Sequence, residues 1–175
     1  SKAKPYDGSP YRESRCCPYS AAFSPDGQRL YLAGYSMYSG MSYGRPGKRW
    51  LGGVTVVDYE GDAPARIFTG DLNTDSGLTP GVACDSRGNV YVTDYAKDVV
   101  DVYDADARKI KSFPAKKPTY IFINPKNGEI YVFSWYVGGY IWGILPELKA
   151  QMGQVVQPTL TVLKSLDDPK PVVSY

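Results

Sequence analysis

Histidine is absent from the 175 residues. That removes any mechanism needing a histidine base or a histidine metal ligand within this chain. Charge of one sign is not in excess: Lys plus Arg is 20 and Asp plus Glu is 18, a net charge of +2. There is no electrostatic case for nucleic acid or for an anionic membrane. No apolar run approaches the ~20 residues of a membrane span. No signal-peptide pattern is visible, and a mature or truncated chain would show none. The P-loop, the Rossmann glycine fingerprint and G-x-S-x-G do not occur.

Cysteine is scarce: Cys16, Cys17 and Cys84. An odd count leaves at least one thiol free or paired outside the chain. A disulfide between the adjacent Cys16 and Cys17 needs a small strained ring, and the alternative is two unrelated thiols. Without a C-x-x-C there is no thioredoxin-like motif, and without C-x-x-C-H no c-type haem attachment. Export to a secreted or periplasmic location is compatible with this usage.

What is abundant is tyrosine, at 16 residues, together with glycine at 18 and proline at 14. They fall in a pattern of short strands and tight turns. Gly81–Asp85, Asn89–Tyr95, Val99–Asp104 and Arg108–Phe113 alternate apolar and polar residues, the period of half-buried strands. Four strands in ~40 residues make one blade of a β-propeller. The unit recurs. Pro18–Ser24, a turn at Pro25–Gln28 and Arg29–Tyr35 precede it; Pro118–Asn124, a turn at Pro125–Gly128 and Glu129–Trp135 follow. Tyr31, Tyr91 and Tyr131 hold one place, and four residues on stand Tyr35, Tyr95 and Trp135. Such a double coincidence signals an internal repeat.

The expected fold class is therefore all-β, a propeller of four-stranded antiparallel blades with about three present. An N-terminal segment, 1–17, leads into blade 1 at 18–70, blade 2 at 71–115 and blade 3 at 116–170. In blade 3, Tyr140–Ile144 reads as the third strand, Pro146–Gln154 as an insert, and Thr159–Leu163 as the fourth strand. Pro171–Tyr175 reads as the inner strand of a further blade. Three blades and one strand leave sheet edges open, so the ring is expected to be completed by other blades of a larger protein or by a partner chain.

The stretches Ser24–Ala33 (SPDGQRLYLA), Asp85–Asp94 (DSRGNVYVTD) and Asn124–Val132 (NPKNGEIYV) resemble the first hairpin of NHL and YVTN-type propeller repeats. The resemblance implies the fold and little about function, because binding proteins, lyases, lactonases and dehydrogenases share the scaffold. Adjacent cysteines occur near the cofactor in some quinoproteins of this architecture. That keeps a redox role for Cys16 and Cys17 in view.

Strand alternation places the connections between second and third strands, and those between blades, on one face. The interval Tyr31–Tyr91 is longer than Tyr91–Tyr131, and its surplus lies on that face, in Ser36–Trp50 and Asp71–Thr79. Ser36–Trp50, read as a long loop, carries Tyr38, Tyr43, Arg45, Arg49 and Trp50; Trp135 lies on the same face. Flat amphipathic rings beside guanidinium forks suit a sugar-like polar ring or an anion. The alternative is aromatics that anchor the loop and cations that face solvent. Asp71, Asn73 and Asp75 have a spacing of oxygen ligands for Ca²⁺, but lack the Gly and Glu of an EF-hand; an Asx-turn loop is the alternative. Ser24, Asp85 and Asn124 share one repeat place, as turn caps or as ligand contacts. Lys109, Lys111, Lys116 and Lys117 read as a solvated charge cluster.

Two functions follow. One is a binding or scaffold module that takes a polar, carbohydrate-like ligand or a protein on its loop-rich face. The other is part of a propeller enzyme, such as a polysaccharide lyase, lactonase or quinone-linked dehydrogenase, with catalytic groups in other blades.

Overall fold

A computed structural model of the chain describes residues 14–15, 18–34, 36–42, 45–50, 52–59, 61, 63–71, 79–135 and 157–174. Every regular element among them is a strand. Blade 1 contains β2 (Ser20–Phe23), β3 (Arg29–Ala33), β6 (Gly52–Asp58) and β7 (Arg66–Asp71). Blade 2 contains β8 (Val82–Cys84), β9 (Val90–Asp94), β10 (Val99–Tyr103) and β11 (Lys109–Pro114). Blade 3 contains β12 (Pro118–Ile123), β13 (Ile130–Ser134), β14 (Thr159–Leu163) and β15 (Pro171–Ser174). Each is an antiparallel sheet with its strands in chain order, and these three blades do not close a ring.

Period-2 alternation decides which neighbour each residue meets. Tyr31, Ala33, Val54, Val56 and Phe68 of blade 1 pack against Val82, Val90 and Val92 of blade 2. The intervening residues of blade 2, Ala83, Tyr91, Val100, Val102 and Phe113, pack against Ile121, Ile130, Val132 and Leu163 of blade 3. Tyr31 and Tyr91 are each 1% exposed, sealed by the blade that follows. On the corresponding face of blade 3 the rings of Phe122 and Phe133 meet edge to face at 5.8 Å, and Phe122 remains 59% exposed. Phe23 and Ile67 are exposed on the opposite end of the stack, on blade 1.

The first hairpin of each blade is capped as its sequence suggests. The amides of Ser24, Asp85 and Asn124 close the turns on Arg29, Asn89 and Glu129 at 2.9, 3.0 and 2.9 Å. Gly27, Gly88 and Gly128 hold φ of 73°, 83° and 76°, the left-handed region that a side chain strains.

Three expectations change. Ser36–Trp50 is not a loop: β4 (Ser36–Ser42) and β5 (Arg45–Trp50) form a hairpin, and β1 (Ser14–Arg15) pairs with β4 to make a separate three-stranded sheet. Its glycines and Pro46 suggest a loop, but β5 is an edge strand, where a proline amide is not needed for the ladder. Thr159–Leu163 is the third strand of blade 3, paired with β13, rather than the fourth. Pro171–Ser174 is that fourth strand, paired with β14, rather than the inner strand of a further blade. A leading proline marks sheet edges on both the inner and the outer side, so proline alone does not distinguish them. The stretches Tyr140–Ile144 and Pro146–Gln154 lie outside the described residues.

Candidate functional site

The connection between β3 and β6 carries β4 and β5, to which the N-terminal β1 adds a third strand, whereas the first-hairpin turns at the other end are tight. The strand backbones of Tyr38, Arg45, Arg49 and Trp50 lie in this added sheet; Tyr38 stands opposite Ser14 and Lys48, and Trp50 opposite Ser36. Tyr43 lies outside the described residues, as do Cys16, Cys17, Asn73 and Asp75. Asp71 closes β7 opposite Gly52. Trp135, just after β13, is half-buried with its ring 5.3 Å from that of Tyr120. Among the described residues no group of three or more His, Cys, Asp or Glu side chains is placed to hold a metal ion.

On this face each crossover between blades is tied to the blade it leaves. The Gly34 amide donates to the Thr79 carbonyl at 2.8 Å, and Thr79 Oγ1 donates to the Gly53 carbonyl at 3.2 Å. Between blades 2 and 3 the tie is ionic. Lys117, only 7% exposed, places Nζ 3.0 Å from Asp98 Oδ1 and 5.2 Å from the centre of the Tyr95 ring. Its amide donates to the same carboxylate oxygen at 2.9 Å. Both residues take left-handed backbone, φ 58° at Asp98 and 47° at Lys117, and the shared carboxylate holds the two turns together.

The lysines read as one solvated cluster are therefore not one. Lys109 Nζ lies 2.6 Å from Asp101 Oδ2, and Lys111 Nζ donates to the Leu166 carbonyl at 2.6 Å. The carboxylate of Asp101 faces the seam with blade 1. Nothing in strand periodicity marks a buried aspartate, since the pattern V-D-V also suits a residue facing water.

The Asp85 carboxylate is the centre of a hydrogen-bond network that caps its turn. It accepts the amides of Arg87 and Asn89, both at 2.9 Å, Asn89 Nδ2 at 2.8 Å and the buried Tyr91 hydroxyl at 3.0 Å. Burial, and then the Asp85 charge, hold the Tyr91 phenol above the usual tyrosine range.

The neighbouring Cys84 thiol is pushed up to about 12, first by burial and then by the charge of Asp85. It should stay protonated and resist alkylation at pH 8 in the folded chain, and react readily in urea. Mass mapping of iodoacetamide adducts at Cys84 checks this. A raised folded value also means that its contribution to stability is present below pH 9 and is lost as pH rises towards 12.

No protein-family model matches the chain, and no curated protein matches it. Solved structures do. Hydrazine synthase of Kuenenia stuttgartiensis aligns with 98% of this chain at a TM-score of 0.54 and 20% identity. A luciferin-regenerating enzyme aligns with 88% at a TM-score of 0.53 and 12% identity. The fold is that of a β-propeller. At these identities the likeness is one of fold alone. The chain spans 39% of the first structure and 47% of the second, less than half the length of either.

Proposed function

We propose that this propeller arc is a binding module within a larger, secreted or periplasmic assembly. It takes a polar, carbohydrate-like ligand or a protein on the face that bears the β1–β4–β5 sheet. The observation that carries the reading is the placement of that extra sheet, which lies on the face of the inter-blade crossovers while the first-hairpin turns opposite stay tight. Tyr38, Tyr43, Arg45, Arg49 and Trp50 are the ligand contacts of this reading, with Trp135 on the same face. Exposed Phe23 and Ile67 at one end of the stack, and Phe122 at the other, support completion of the ring by further blades. In the alternative reading the completed ring is an enzyme whose catalytic groups lie in those other blades. The fold is shared with two proteins named for catalysis, which keeps that alternative open without favouring it.

The test is Trp50→Ala in a glycan-array screen beside a thermal melt. If Trp50 is a central anchor, binding weakens by about 1–3 kcal/mol while the melt is unchanged. A lowered melt with unchanged binding overturns this role for the residue, and no glycan bound by the parent chain overturns the carbohydrate-like ligand.

A further inference from the structure

The repeat allows one seam between blades to be compared with the next. At the seam between blades 1 and 2, Asp94 ends β9 and Asp101 lies on β10 opposite Val92. Lys97 Nζ lies 2.6 Å from Asp94 Oδ2 and Lys109 Nζ 2.6 Å from Asp101 Oδ2, so two ion pairs occupy that place. At the seam between blades 2 and 3 the register puts Thr161 opposite Val132, and Ser134 ends β13. Hydroxyls thus stand where the other seam has carboxylates, and space opens where the ion pairs would be.

That space is a cavity of 190 Å³. Phe113 and Pro114 of blade 2 form one wall; Leu163 and Pro171 of blade 3 form part of the other. Ser134 and Thr161 supply hydroxyls, and Lys116 is the one ionisable residue in the lining. Ser134 is 6% exposed.

We propose that this cavity binds a small aromatic monocarboxylic acid. An apolar cavity of about 150 Å³ holds a benzene ring, so the volume here takes a ring with a carboxylate attached. Proline and phenylalanine give the ring flat apolar contacts. The carboxylate has two acceptor oxygens, matching the Ser134 and Thr161 O–H donors, and one negative charge, matching Lys116. A dianion would leave a charge unmatched, and a hydrocarbon would leave the hydroxyls dry. The site is separate from the β1–β4–β5 sheet and does not depend on the reading given to it.

The test titrates benzoate, with benzyl alcohol alongside, into the full ¹⁵N-labelled chain. Saturable amide shifts at Pro114-adjacent residues, Ser134 and Thr161 are expected at about millimolar benzoate. Lys116→Gln should weaken benzoate about threefold and leave benzyl alcohol unchanged. Thr161→Val, which keeps the shape, should weaken benzoate about tenfold. Ser134→Leu should fill the cavity and abolish binding of both; if it does not fold, the other two variants decide. Shifts that never saturate, shifts that map elsewhere, or benzoate affinity indifferent to both Lys116→Gln and Thr161→Val would overturn the proposal.

Discussion

Asp85→Ala should lower the stability of the chain by about 3 kcal/mol or more, measured by urea denaturation. The carboxylate collects four donors, and one of them, the Tyr91 hydroxyl, belongs to a side chain only 1% exposed. Alanine leaves the two turn amides to water, but gives the buried phenol nothing to donate to. Tyr91→Phe alone should cost about 1 kcal/mol, since Asp85 keeps its other three donors. The double variant should be less destabilised than the sum of the two, because the orphaned hydroxyl is gone. Equal costs for Asp85→Ala and Ser24→Ala would refute the argument. Ser24 holds the same place in blade 1, where its hydroxyl takes the Arg29 amide at 2.9 Å in a part-exposed turn.

The second large effect concerns Lys109. Asp101 is 5% exposed; Oδ2 lies 2.6 Å from Lys109 Nζ, and Oδ1 is buried without a partner among the described residues. Breaking a buried pair from one side costs about 3–5 kcal/mol. The Lys109 side chain is half exposed, so solvent screening brings the expected cost of Lys109→Met to about 2 kcal/mol. Removing both charges is different. Blade 1 has Thr55 and blade 3 has Thr161 where blade 2 has Asp101, so threonine already suits this place in two neighbouring sheets. Asp101→Thr combined with Lys109→Met should return stability to within about 1 kcal/mol of the parent. If the double variant is as unstable as Lys109→Met, the seam needs the ion pair itself.

The blades were legible in the sequence because each records itself three times. Tyr31, Tyr91 and Tyr131 are equivalent, and the turn glycines after Ser24, Asp85 and Asn124 are fixed by backbone geometry that few residues tolerate. The strands of Ser36–Trp50 were not legible. Glycine and proline lower strand propensity there, and pairing at an edge overrides it. Nor was the assignment of Pro171–Ser174: it rests on which partner the strand finds, and inner and outer edge strands carry similar residues. At the candidate site, composition names the aromatics of Ser36–Trp50 but not the strand pairing that carries them. The half-buried ion pairs of Lys117 and Lys109 left no trace, because a lysine beside an aspartate reads the same in solvent and in a seam.

Both apolar clusters draw on the middle sheet, and this bears on cooperativity. Blade 2 gives one side to Tyr31 and Val56 and the other to Ile130 and Val132. In a stack of repeats, stability is close to a sum of repeat terms and nearest-neighbour terms. Loss of blade 2 therefore dissolves both of these interfaces, while loss of blade 1 or blade 3 dissolves one of the two. Among these three blades, the middle sheet is the one that cannot open without breaking both seams.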